Sequence, residues 1–134
     1  MGEGFLTDED DLIVSRALEL IPEPERVYRI HGDCGAHNFF FGEDGELTAV
    51  IDPMPILGYP LYDLLFAFCS TPDDLSPETL APALNRLKTS FKSSEVIDPF
   101  IRISLYIRLG RAPTHQPDQL QAYREAWNRW TERI

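Results

Sequence analysis

Three short polar stretches carry most of the residues in this chain that could do chemistry. The first, His31-Gly32-Asp33-Cys34-Gly35-Ala36-His37-Asn38, puts two imidazoles, a carboxylate, a thiol and a carboxamide into eight residues. The second is Ile51-Asp52-Pro53, and the third is Gly58-Tyr59-Pro60-Leu61-Tyr62-Asp63. A loop aspartate, with a carboxamide five residues on and a second aspartate delivered by a hairpin, has a natural use. One carboxylate orients and deprotonates a hydroxyl. The carboxamide oxygen and the other carboxylate hold Mg²⁺, a hard cation that prefers oxygen ligands. The pattern H-x-D-x4-N, a hairpin and then a metal aspartate is the C-terminal half of a phosphoryl-transfer site. The same residues admit rivals. His31, Asp33, His37 and Asp52 could hold a catalytic transition metal and hydrolyse phosphoesters. Cys34 beside His37 suggests a thiol nucleophile, although no third orienting group is evident.

The elements that must position these residues follow from pattern. Residues 26–30 read as a short buried strand leading into the first stretch. Phe39-Phe40-Phe41 and Leu47-Thr48-Ala49-Val50-Ile51 are rich in aromatic and β-branched residues, and the Asp44-Gly45 signal lies between them, so the segment is a β-hairpin. With the tight turn on Asp44-Gly45, Glu43 opposes Glu46 and Asn38 falls opposite Ile51. A slip of one residue still leaves Asn38 and Asp52 at the open end, just downstream of Asp33.

Helices surround the hairpin. Thr7 and Asp10 form a capping-box pattern that opens a helix over 7–21, which Pro22 and Pro24 end. Leu61 to Cys69 is an apolar helix. Ser76-Pro77 starts another, with Leu80, Leu84, Leu87 and Phe91 as its inner stripe. Residues 96–109 are apolar on most faces. A last helix from about Pro117 carries Leu120, Tyr123, Trp127, Trp130 and Ile134 on one side. The fold class is α+β.

Length and charge narrow the function classes. The chain has 134 residues, enough for one core. Its net charge of −10 disfavours nucleic acid as a partner. No stretch approaches a membrane span and no signal peptide is evident, so a cytoplasmic protein with Cys34 and Cys69 as free thiols is expected. The charge is uneven: residues 1–78 hold 17 acids and three bases, whereas residues 79–134 hold five acids and nine bases. Such asymmetry suits a cleft that attracts cations on one side and holds phosphates on the other.

The HGDxxxxN form, with Gly32 where eukaryotic protein kinases carry Arg, resembles the aminoglycoside phosphotransferase and choline kinase-like family. So does Ile51-Asp52 followed by Gly58-x-Pro60-x-x-Asp63-Leu64. The resemblance implies a mostly helical C-terminal lobe of a protein-kinase-like phosphotransferase, with a small β-hairpin at the site. It implies ATP-dependent phosphorylation of a small-molecule hydroxyl. Asp33 is then the catalytic base, Asn38 and Asp52 are the Mg²⁺ ligands, His31 braces the loop, and Asp63 hydrogen-bonds that loop from the next helix. In the family the C-terminal helices shape an acceptor pocket, often lined with acids for cationic substrates.

There are departures. Many members have His-Pro-Gly between Asp and Asn, where this chain has Cys34-Gly35-Ala36-His37. The family's smaller N-terminal lobe brings a glycine-rich loop and a lysine that grip ATP. The two lysines here, Lys88 and Lys92, come late, and Gly2 and Gly4 follow no strand. Residues 1–134 are therefore expected to form the catalytic lobe alone, without the nucleotide-clamping lobe. A lobe lacking that cover exposes apolar surface, which favours a homodimer or a partner chain. The rival from another class is a non-catalytic remnant that serves as a binding or dimerising module.

Overall fold

Capping decides where the chain first becomes helical. In the computed structural model, which describes residues 6–24, 26–88 and 94–132, helix α1 (Asp8–Leu20) starts at a complete capping box. The Asp10 amide donates to Thr7 Oγ1 (3.1 Å) and the Thr7 amide donates to Asp10 Oδ2 (2.9 Å). Each bond satisfies an amide that the first turn would otherwise leave open. Asp10 is buried, and it also accepts from the Trp127 indole (2.9 Å) and pairs with Arg124 (2.7 Å). One carboxylate thus fastens the N-terminal helix to the C-terminal one. Burial pushes its pKa up, but Arg124, Thr7 and Trp127 outweigh that and hold it below the ordinary value.

The chain continues through β1 (Tyr28–Ile30), a 3₁₀ turn at Ala36–Asn38, β2 (Phe39–Phe41), β3 (Leu47–Val50) and β4 (Ile56–Gly58). Helices α2 (Pro60–Phe68), α3 (Pro77–Arg86) and α4 (Ser94–His115) follow, then a 3₁₀ turn at Pro117–Gln119 and α5 (Leu120–Thr131). The described residues are thus mostly helical with two small antiparallel sheets, an α+β arrangement.

The core lies among the helices. Leu61 and Leu65 of α2 and Cys69 just after it meet Ile101, Leu105 and Leu109 of α4 and Tyr123 and Trp127 of α5 in one buried cluster. Its polar groups are satisfied: the Tyr123 hydroxyl donates to the Cys69 carbonyl (2.8 Å) and the Trp130 indole to the Leu75 carbonyl (2.9 Å). Burial keeps both cysteines' thiols protonated, pushing Cys69 up to about 12, and both cysteines are free.

Several expectations need correction. The strand before the first polar stretch is not buried. Only Ile30 is; Tyr28 and Arg29 are exposed, and β1 pairs with the single strand β4 in a two-stranded sheet. That partner, β4, was not anticipated: Ile56-Leu57-Gly58 is too short and too close to prolines to read as a strand. Helix α3 ends at Arg86, so Leu87 is its C-cap and not a helical residue, although it still packs against the core with Leu84. Helix α4 runs past Leu109 to His115, since the buried Ala112 extends its packed face. Phe91, Lys92, Gly2, Gly4 and Ile134 lie outside the described residues.

The hairpin register has a local irregularity. Phe39 pairs with Val50 and Phe40 with Ala49, but Phe41 pairs with Leu47. Thr48 is the extra residue, and its hydroxyl donates to the Phe40 carbonyl (3.1 Å). At the turn, the Gly45 amide donates to the Gly42 carbonyl (3.0 Å), and Gly45 takes φ +80°. Glu46 therefore faces Gly42 rather than Glu43. The bulge confines the slip to the turn end.

Candidate active site

At the other end of the hairpin the expected pairing holds. The Ile51 amide donates to the Asn38 carbonyl (2.9 Å), which puts Asp52 beside Asn38 as β3 ends. Asp52 takes φ +54°, a left-handed conformation that aspartate tolerates better than most residues. Its side chain is exposed. Asn38 is buried, and its amide nitrogen donates to the Asp33 carbonyl (2.9 Å). The remaining polar atom of that carboxamide is an oxygen. So Asp33, Asn38 and Asp52 are brought to one end of one hairpin.

The loop that carries Asp33 is held through its backbone. Asp63, in the first turn of α2, accepts from the His31 amide through Oδ2 (2.7 Å) and from the Gly32 amide through Oδ1 (3.0 Å). The His31 ring closes the same loop. Its Nδ1 accepts from the Asp33 amide (3.2 Å), so Nε2 carries the hydrogen and donates to the Ile51 carbonyl (2.8 Å). His31 thereby ties the Asp33 loop to the strand that ends at Asp52. Gly32 takes φ +84°, and a Cβ there would stand 1.9 Å from the Met54 carbonyl oxygen, so only glycine fits. The hydrogen bonds that hold Asp33 among the described residues use its backbone.

These contacts bear on the rival chemistries. Both His31 ring nitrogens are engaged, so His31 is not available as a metal ligand. Among the described residues no three His, Cys, Asp or Glu side chains cluster as a metal site. The transition-metal arrangement of His31, Asp33, His37 and Asp52 is therefore not assembled. Burial, with Asp63 and Asp33 nearby, pushes the Cys34 thiol up, the wrong direction for a thiolate nucleophile.

A family model described as the phosphotransferase enzyme family (APH) matches residues 6–95. The chain belongs to this phosphotransferase family. No curated protein and no solved structure gave a match. The matched span includes all five residues singled out in the three polar stretches, His31, Asp33, Asn38, Asp52 and Asp63.

Other residues at the site were not foreseen in this member of the phosphotransferase family. Ser70, at the end of α2, accepts from the Ala36 amide (3.0 Å) and donates to the Ala67 carbonyl (2.6 Å), so it splices the loop onto the helix. A cavity of about 310 Å³ opens beside it, with Ala36 and His37 on one wall and the far end of α4 on another. Arg108, Arg111 and His115 line that cavity. Their spacing of three and four residues places them on one helical face, a signal present in the sequence but masked by the apolar residues around it. Among the described residues no helix is long and apolar enough to cross a membrane.

Proposed function

We propose that this chain is the catalytic lobe of an ATP-dependent phosphotransferase that phosphorylates a small-molecule hydroxyl. The observation that carries the reading is the convergence of Asp33, Asn38 and Asp52 at the open end of one hairpin, in a chain of the phosphotransferase family. Asp33 serves as the base: it takes the proton of the acceptor hydroxyl as that oxygen attacks the terminal phosphorus of ATP, and the bond from phosphorus to the ADP oxygen breaks. Asn38 and Asp52 suit Mg²⁺ in donor chemistry, since both offer hard oxygens. Two protein ligands are an ordinary complement for an ion that completes its shell with water and substrate phosphates. When bound, Mg²⁺ neutralises charge on the transferred group. His31 and Asp63 keep the loop in place so that the Asp33 carboxylate meets the hydroxyl in a fixed geometry.

The lobe that clamps the nucleotide is assigned to protein outside residues 1–134, and a second copy or a partner chain is proposed to cover the surface it would occupy. Supporting this, the two small sheets and the segment between β3 and β4 expose large apolar side chains, including Phe40, Phe41, Met54 and Leu57, the last at 70% exposure.

The test pairs binding with turnover. Calorimetric titration with ATP and Mg²⁺ is expected to show saturable heat, and radiolabel transfer from ATP to a panel of hydroxylated compounds is expected to reveal an acceptor. Asp33→Asn is expected to lower kcat by about 10²- to 10⁴-fold while leaving nucleotide binding unchanged. Transfer activity that survives Asp33→Asn unaltered refutes the assigned base. No heat at millimolar nucleotide removes the enzyme reading for this chain by itself.

A further inference from the structure

We propose that the cavity between the Asp33 loop and the end of α4 binds an anionic group, a carboxylate or phosphate, on the acceptor, so that the substrate is an anionic hydroxyl compound. This rests on the phosphotransferase reading and names its substrate class.

The cavity is basic in an acidic protein. The chain carries a net charge of −10, yet the walls present Arg108, Arg111, His37 and His115 and no carboxylate. Arg108 and Arg111 stand three residues apart on one face of α4, and like charges that close repel unless an anion lies between them. A cationic acceptor of the kind many family members take would meet the wrong sign of charge.

Arg108 carries the argument further. Its guanidinium lies over the Phe66 ring, 4.7 Å from the centroid, which fixes its direction. Among the described residues its Nη2 is buried and has no hydrogen-bond partner. A buried, unpartnered guanidinium nitrogen is costly, and a bound carboxylate or phosphate oxygen is its natural complement. The Gln119 carboxamide oxygen on the same cavity is also buried and unpartnered. It offers an acceptor for a hydroxyl hydrogen next to the anion. An anion beside a hydroxyl is the pairing expected of a hydroxy acid or a phosphorylated polyol.

The cavity connects to the reacting residue through packed groups. The His37 ring folds back on Gly35, where a Cβ would stand 2.7 Å from it and 3.5 Å from Phe66. The Gly35 amide in turn donates to the Asp33 carbonyl (2.9 Å). An anion held by Arg108 thus sits against the loop that presents Asp33. The cavity shares no residue with the hairpin that carries Asp52, so the nucleotide's phosphates are the less fitting occupant.

Inorganic phosphate is the probe, titrated into the full chain by calorimetry and followed in parallel through the ring resonances of His37 and His115. Saturable binding that shifts both histidines is expected, weakened about tenfold or more in Arg108→Gln and in Arg111→Gln. Arg111 is exposed and supports no core packing, so its variant decides the matter if Arg108→Gln fails to fold. Asp33→Asn is expected to bind phosphate normally while losing transfer, which separates failure of the site from failure of the phosphotransferase reading. Unsaturable phosphate binding, or equal binding in wild type and both arginine variants, overturns the proposal. Displacement of phosphate by ATP with Mg²⁺ overturns it too, since the anion would then be the nucleotide's. Preferential phosphorylation of amino sugars over hydroxy acids and phosphorylated polyols overturns the substrate class.

Discussion

Removing the Asp63 carboxylate tests whether the Asp33 loop is held as the structure describes. Asp63 accepts two backbone bonds, from His31 at 2.7 Å and Gly32 at 3.0 Å, and all three residues are half-buried. A hydrogen bond to a charged group contributes about 1.5–3 kcal/mol net. Water reaching a half-buried loop recovers part of that, and the first-turn position of Asp63 on α2 adds a few tenths of a kcal/mol through the helix dipole. Asp63→Ala is therefore expected to cost about 3 kcal/mol. Asp63→Asn keeps one acceptor but turns an NH₂ toward the second amide, so about 2 kcal/mol is expected. Against a total stability of about 5–15 kcal/mol, either change is large. Urea unfolding at constant m-value measures the loss, and hydrogen exchange at the His31 and Gly32 amides locates it. A loss below about 0.5 kcal/mol for Asp63→Ala, with unchanged exchange at those two amides, refutes the reasoning.

Two further perturbations follow from other parts of the frame. Gly32→Ala drives a Cβ to 1.9 Å from the Met54 carbonyl oxygen at φ +84°, and is expected to cost about 4 kcal/mol or more, read by thermal unfolding. Asp10 titrates below its ordinary value in the folded chain, so its contribution is complete above the unfolded value near 3.8 and is lost as pH falls through the folded value. Wild type is thus expected to lose stability more steeply below about pH 4 than Asp10→Asn, and parallel stability–pH curves for the two proteins contradict the Asp10 linkage.

Local signals were legible where local chemistry decides the structure. The capping box at Thr7 and Asp10, the N-cap at Ser76 and the apolar α2 could be read because each depends on residues within a turn or two. The pairing of Asn38 with Ile51 was legible for a subtler reason. Counting back from Asp44-Gly45 assumed a regular ladder, and the bulge at Thr48 and the altered pairing at Glu46 changed only the turn end. β4 was illegible because what makes Ile56–Gly58 a strand is β1, more than twenty residues away.

The basic cavity marks the limit of that kind of reading most clearly. The excess of bases after residue 78 was visible as a charge difference between halves, yet it pointed to no place. Arg108, Arg111 and His115 became a site only because α4 packs against α2, and Ser70 at the end of α2 grips the Ala36 amide. Phe66, one turn before Ser70, then carries the Arg108 guanidinium. The loop is therefore braced from two sides by the same helix, at Asp63 near its start and Ser70 just past its end. The proposed chemistry at Asp33 and the proposed anion binding at Arg108 would therefore be coupled through α2. A change at Ser70 that frees the Ala36 amide would disturb the cavity wall and the Asp33 loop together, whereas a change at Asp52 would leave the cavity untouched.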